Sequence, residues 1–305
     1  MKRIKIANSD LNVSEISLGC MRIAEMSHQE IATLIHTALD EGIDFFDHAD
    51  IYGGGQSEER FSAALDMNPA LRERMILQTK CGIRKGSFDF SKEHILNAVD
   101  GSLKRLRTDY VDVLLLHRPD ALVEPEEVAE AFTILERSGK VRHFGVSNQN
   151  PMQIELLRKF VKQPILFNQL QFSITNTGMI DAGINVNMEI DPSIDRDGSI
   201  LDYCRLHEIT IQPWSPFQYG FFEGVFLDND KFPELNRAID ALAAAKGVTN
   251  SAIAIAWILR HPAKMQPIVG TTKPERVKEI CKASDITLTR QEWYEIYRAA
   301  GNKLP

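Results

Sequence analysis

Eight short apolar runs recur along the chain, each followed by a stretch with helical spacing, and few folds can absorb that pattern. The runs are Ile16–Gly19, Phe45–Ala49, Ile76–Lys80, Val111–His117, Val141–Ser147, Leu166–Leu170, Thr210–Ser215 and Pro267–Thr271. They are rich in Val, Ile, Leu and Phe and alternate little, as expected of strands covered on both faces of a parallel sheet. Between them lie helical segments. Ser91 is a natural N-cap for a helix whose stripe is Ile95, Val99 and Leu103, with Leu96 and Leu106 beside it. A second helix starts near Glu126 and stops at Ser138-Gly139, and Pro274 opens a third.

At 305 residues, eight strand–helix units fit one α/β domain, a (β/α)8 TIM barrel spanning residues 1–305. An N-terminal hairpin and two extra helices, near Asn250–Arg260 and Arg290–Ala300, complete the expected fold. No Pro/Ser-rich linker or low-complexity stretch divides the chain. A doubly wound sheet is the competing architecture, but no GxGxxG follows the first strand, which ends Leu18-Gly19-Cys20-Met21-Arg22. The only glycine cluster, Gly53-Gly54-Gly55, follows a tyrosine.

Composition removes several functions. Lys plus Arg total 35 against 42 for Asp plus Glu, a net charge of −7, which argues against nucleic-acid binding. No run approaches the ~20 apolar residues of a membrane span. The first residues lack a secretory apolar core, and Cys20, Cys81, Cys204 and Cys281 form no CxxC, so a cytoplasmic location with reduced thiols is expected. His36, His48, His94 and His117 show no HExxH or HxH spacing, and no metal is expected. A GxSxG elbow is absent. Glu126-Glu127 follows Pro125 as ordinary helix-start charge.

The polar residues cluster at the strand ends. The second run leads through Asp47 to Tyr52, the third ends at Lys80, the fourth at His117 and the fifth at Ser147-Asn148. The sixth holds Gln169, the seventh gives Trp214-Ser215, and the eighth opens into Gly270-Thr271-Thr272-Lys273. In a barrel these ends share one face, the one that carries active sites. Singly, Asp47 could cap a turn, Lys80 could snorkel and His117 could be a core histidine. Together they form a proton-donor set. Lys80 would lower the tyrosine pKa, Asp47 would hold Lys80, and His117 would orient a substrate oxygen. With no nucleophile beside it, this set suits protonation of an oxyanion formed by hydride arrival.

The stretches FFDHADIYGGGQSE, LQTKCGI, SLKRLRTDYVDVLLLHRPD, VRHFGVSN, FNQLQFS and PIVGTTKPERVKE resemble the aldo-keto reductases, over about residues 10–300, and within that family the bacterial ydhF-like oxidoreductases. The resemblance implies a barrel that binds NADP(H) and reduces a small carbonyl substrate, with Asp47, Tyr52, Lys80 and His117 as the catalytic tetrad and Tyr52 as general acid. It implies that Ser147, Asn148 and Gln169 hold the nicotinamide carboxamide and that Trp214 stacks on the ring. Ser215 and Phe217 would lie near the pyrophosphate. Gly270, Thr271, Thr272, Lys273 and Arg276 would bind the adenosine phosphate. Gly19, Cys20, Met21 and Asp47 complete the implied cofactor set. A family asparagine at the adenine falls at Ile280, leaving Glu279 as the substitute. His117, rather than glutamate, implies carbonyl rather than carbon–carbon double-bond reduction. A non-catalytic NADP(H)-binding regulatory subunit is the competing reading. The loops after strands three, four and seven should cover the pocket with Phe88, Phe90, Tyr219, Phe221, Phe222 and Phe226, with no long covering tail expected.

Overall fold

The computed structural model describes residues 1–304. Its eight barrel strands are β1 (Ser17–Gly19), β2 (Phe45–Asp47), β3 (Ile76–Cys81), β4 (Val111–Leu116), β5 (Val141–Ser147), β6 (Ile165–Gln171), β7 (Thr210–Trp214) and β8 (Ile268–Val269). From β1 to β7 each strand pairs in parallel with the next, and β8 pairs in parallel with β1. The Gln266 amide donates to the Ile211 carbonyl at 3.0 Å and closes the ring between β7 and β8. The eight expected strands are present, with ends shifted by one or two residues; β2 stops at Asp47 because the chain turns there toward Tyr52.

Alternation is hidden in the sequence because both strand faces are apolar. Phe45, Val113, Leu115 and Phe167 point into the barrel and meet Ile6, Leu11 and Val13 of the N-terminal hairpin, Arg3–Lys5 with Asn12–Ser14. That hairpin plugs the N-terminal end. Phe46, Leu77, Leu114 and Leu116 face outward into the core beneath the helices.

The helices that cover the strands are α1 (His28–Asp40), α2 (Gln56–Leu65), α3 (Lys92–Leu106), α4 (Pro125–Arg137), α5 (Pro151–Arg158), α6 (Ile200–Leu206), α7 (Asn250–Leu259) and α8 (Pro274–Cys281). Local chemistry sets their starts. Ser27 and Asn150 form capping boxes with Glu30 and Gln153, Ser91 caps α3, and Pro274 occupies the first turn of α8.

The assignment of the extra helices differs from the sequence reading at one point. Every residue of α7 from Ala252 to Ile258 is buried, so this helix belongs to the repeat. The extra helix in that connection is Pro233–Lys246, whose buried stripe is only Leu235, Ile239 and Ala243. Its alanine-rich outer face weakens the apolar period. The C-terminal helix Arg290–Ala299 is the second extra one, anchored where Trp293 stacks on Trp257 at 4.7 Å.

Candidate active site

Strand register brings the polar residues together. Asp47 on β2 lies beside Gly19 on β1 and Gln78 on β3, and Gln169 on β6 lies beside Ser147 on β5 and Gln212 on β7. Above them opens a cavity of ≈ 930 Å³ at the C-terminal ends of the strands, within the size range of cofactor and small-molecule sites.

Beneath two of its lining residues, Asp47 and Tyr52, lies Lys80, wholly buried. Its ammonium donates to Asp47 Oδ2 at 2.8 Å, the His48 carbonyl at 2.8 Å and the Tyr52 hydroxyl at 3.0 Å. Three protons meet three acceptors. Burial alone would push the Lys80 ammonium down, but Asp47 and Tyr52 outweigh it and its pKa is raised. Tyr52 corrects the expectation of a lowered phenol. Burial is the largest influence and raises its pKa, and Lys80 offsets this only in part. The group therefore carries its proton at neutral pH. His117 is held well below the usual histidine range by burial and by the charges of Lys80 and Arg118, so it is a neutral imidazole. Its ring meets Tyr52 edge-on at 5.9 Å, and its Nδ1 is buried without a partner, which leaves Nε2 as the nitrogen with access to the cavity.

The turn that presents Tyr52 is built from glycine. Gly53, Gly54 and Gly55 have φ of 59°, 65° and 94°, a left-handed run that side chains disfavour. Arg105 of α3 packs against Gly55 and donates to the buried Glu58 carboxylate at 2.7 Å, while Thr79 donates to the other Glu58 oxygen at 2.6 Å. The tyrosine loop is thus tied to β3 and α3. His48, next to Asp47, is fully buried and held neutral, pushed down to about 3 by burial and then by Lys80.

Most of the expected cofactor residues line this cavity: Gly19, Met21, Asp47, Ser147, Asn148, Gln169, Trp214, Ser215, Phe217, Gly270, Thr271, Arg276 and Glu279. Ile280 lines it as well. Three residues do not. The Cys20 sulfur is buried and turns toward the Leu18 carbonyl at 3.8 Å. Thr272 and Lys273 lie off the wall, and the Lys273 N–H instead donates to Thr271 Oγ1 at 3.2 Å. Among the described residues no side chain caps the start of α8, and Arg276 in its first turn lines the cavity.

The aromatic cover is also narrower than expected. Phe90 and Phe226 are buried away from the cavity, and Tyr219 packs on Phe232 and accepts from Lys231 at 3.1 Å. Phe222 lines the cavity and stacks on Trp214 at 5.8 Å, with Phe221 edge-on to the same ring at 6.5 Å. Among the described residues, none of the cavity wall lies beyond Ile280.

Several wall residues carry little signal in the sequence. Arg118 lies beside His117 with its guanidinium 5.8 Å from the Trp214 ring centre and no ion pair among the described residues. Asn250 at the start of α7 reaches the wall and donates to Asp228 of the β7 loop at 3.0 Å. Gln78 and Gln212 were visible in principle, as polar residues two places before Lys80 and Trp214 in otherwise apolar strands.

A sequence profile of the Aldo/keto reductase family matches residues 15–300. The chain belongs to this family. It is an oxidoreductase. The reductase is 35% identical to Oxidoreductase YdhF of Escherichia coli, over 98% of each chain. It is 34% identical to a 6-dehydroglucose reductase of Agrobacterium fabrum, over 99% of each. Among solved structures, an aldo-keto reductase from Klebsiella pneumoniae in complex with NADPH superposes with a TM-score of 0.79 at 25% identity, covering 100% of this chain and 96% of that one.

Proposed function

We propose that the cavity is the active site of an NADPH-dependent carbonyl reductase in which Tyr52 is the general acid. The observation that carries this reading is the Lys80 ammonium, buried and bonded at once to Asp47 and to the Tyr52 hydroxyl, beside a neutral His117. The cavity wall fits a dinucleotide. Ser147, Asn148 and Gln169 offer carboxamide partners at the inner end, Trp214 offers a flat aromatic wall, and the uncapped start of α8 with Arg276 offers a seat for a phosphate at the outer rim. A nicotinamide cofactor held by these residues would supply the hydride for the carbonyl carbon.

The protein's own part is the proton and the orientation. His117 offers a hydrogen bond to the carbonyl oxygen. As negative charge develops on that oxygen, the Tyr52 O–H bond breaks and its proton passes to the oxygen, giving the alcohol. The phenolate left behind lies 3.0 Å from the Lys80 ammonium, which stabilises it. Arg118 supplies a cation at the substrate end, suited to a polar or anionic substituent. The relative named for 6-dehydroglucose makes an oxidised hexose the first substrate to test.

Tyr52→Phe keeps the ring and removes only the hydroxyl. It should lower kcat by about 10²–10⁴-fold, the usual weight of general acid catalysis, and leave NADPH affinity near wild type. Retention of half the activity would remove Tyr52 from this role. A regulatory subunit would bind NADPH and turn over no aldehyde even as wild type.

A further inference from the structure

Barrel interiors are normally filled by apolar layers, yet four glutamines lie inside this one. Gln78, Gln169, Gln212 and Gln266 are each at most 3% exposed. They form one hydrogen-bonded chain. Gln266 Nε2 donates to the Ser14 carbonyl of the hairpin at 2.7 Å, and Gln212 Nε2 donates to Gln266 Oε1 at 2.9 Å. Gln78 Nε2 and Gln169 Nε2 donate to Gln212 Oε1 at 2.9 and 3.3 Å. The same two nitrogens donate to Asp47 Oδ1 at 2.6 and 3.0 Å.

The sense of this chain is set from its far end. A backbone carbonyl only accepts, so Gln266 turns its nitrogen to Ser14 and its oxygen to Gln212. Gln212 must then donate to Gln266 and offer its own oxygen upward. Reversing the Gln78 or Gln169 amide would set its oxygen against both the Asp47 carboxylate and the Gln212 oxygen. Gln78 accordingly leaves its oxygen buried without a partner, a cost accepted to keep its nitrogen on Asp47.

Two consequences reach the site. Asp47, withdrawn from water, has donors on both oxygens: the two amides on Oδ1 and Lys80 on Oδ2. Gln169 has spent its nitrogen twice, so the atom it has left for the cavity is an acceptor. We propose that Gln266, Gln212 and Gln78 are positioning residues for the reaction, a ladder that fixes the Asp47 carboxylate beneath Lys80 and aims the Gln169 oxygen at the amide N–H of a nicotinamide carboxamide. This inference rests on the reading of the site as an NADPH-dependent reductase.

Three variants test it, each assayed for NADPH affinity by fluorescence quenching, kcat on an aldehyde that wild type reduces, and thermal melting. Gln212→Met keeps length and bulk but can neither hold nor orient the two upper amides. It should weaken NADPH binding by about 10-fold and lower kcat by about 10–100-fold, the range expected when reacting groups are slightly misplaced. Gln266→Met, one step further away, should shift both in the same direction by less. In Gln212→Glu the protonated carboxyl still accepts from above and donates once to Gln266. NADPH affinity in this variant should approach wild type at acid pH and fall as the carboxyl ionises, a pH dependence that a packing role would not produce. Should Gln212→Met fail to fold, Gln266→Met and Gln212→Glu at acid pH carry the test. A folded Gln212→Met with affinity and kcat within two-fold of an active wild type overturns the ladder alone. So does Gln212→Glu with the wild-type pH profile. A wild-type chain that neither binds NADPH nor reduces a carbonyl overturns the reductase reading, and the ladder's role with it.

Discussion

Lys80→Met isolates the charge that the proposed mechanism places beside the phenol. Methionine matches the length of the stem but brings no ammonium. In the structure Nζ lies 3.0 Å from the Tyr52 oxygen. At an effective dielectric of about 20, two unit charges at that distance attract by about 5.5 kcal/mol. A transition state with roughly half a charge on the phenol oxygen would gain about half of this, near 2.8 kcal/mol, or about 100-fold in rate. kcat for an aldehyde should therefore fall by about 10²-fold or more at saturating cofactor, while NADPH affinity changes little. Stability should fall too, because Asp47 loses the cation on Oδ2 in a buried setting. The pH window follows from the raised Lys80 pKa. A raised ammonium contributes its full stabilisation below its unfolded value, near 10.4, and loses it as pH rises through the higher folded value. The difference in melting temperature between wild type and Lys80→Met should thus be flat from pH 6 to 9 and shrink only in strong alkali. Stopped-flow or steady-state NADPH oxidation measures the rate, and calorimetry measures the stability. A folded Lys80→Met that retains kcat within five-fold of wild type would refute the electrostatic argument.

Three further outcomes are expected. Arg276→Ala should weaken NADPH binding by about 10–100-fold and NADH binding by less than about two-fold, in line with loss of a charge-assisted contact to a phosphate; equal losses in a titration of both cofactors would show that Arg276 does not read the 2′-phosphate. Phe222→Ala should change the kcat/KM ranking of aromatic against aliphatic aldehydes, since Phe222 lies over Trp214 on the cavity wall, whereas truncation after Gly301 should leave that ranking unaltered. Asp50 is pushed up to about 7, first by burial and then by Glu58. A carboxyl raised in the folded state favours folding when protonated and loses that contribution as pH rises from about 4 toward 7, so Asp50→Asn should melt progressively higher than wild type across this interval. A constant offset in melting temperature would show that Asp50 does not titrate there.

The strand–helix repeat was legible because β strands covered on both faces read as apolar runs, and the residues that end them do not. That contrast located Asp47, Lys80, His117 and Ser147-Asn148 at successive strand ends, and local motifs located the cap at Ser91 and the first-turn proline at Pro274. Such features depend on neighbours within a turn or a strand, which a linear sequence displays. Only the closed barrel decided the rest. Burial set the direction of the Tyr52 shift against the charge of Lys80, which the sequence could suggest only as a neighbour. The turn of the Cys20 sulfur into the core, and the departure of Phe90 and Phe226 from the pocket, depend on which way a side chain leaves the backbone in a curved wall. The α7 helix belongs to the repeat because a partner covers each of its faces, which its own apolar sequence cannot state. The glutamine chain from Ser14 to Asp47 joins residues up to 252 positions apart. Each glutamine alone is an anomaly in an apolar run, and together they become a network only when ring closure brings β3, β6, β7 and β8 around one axis.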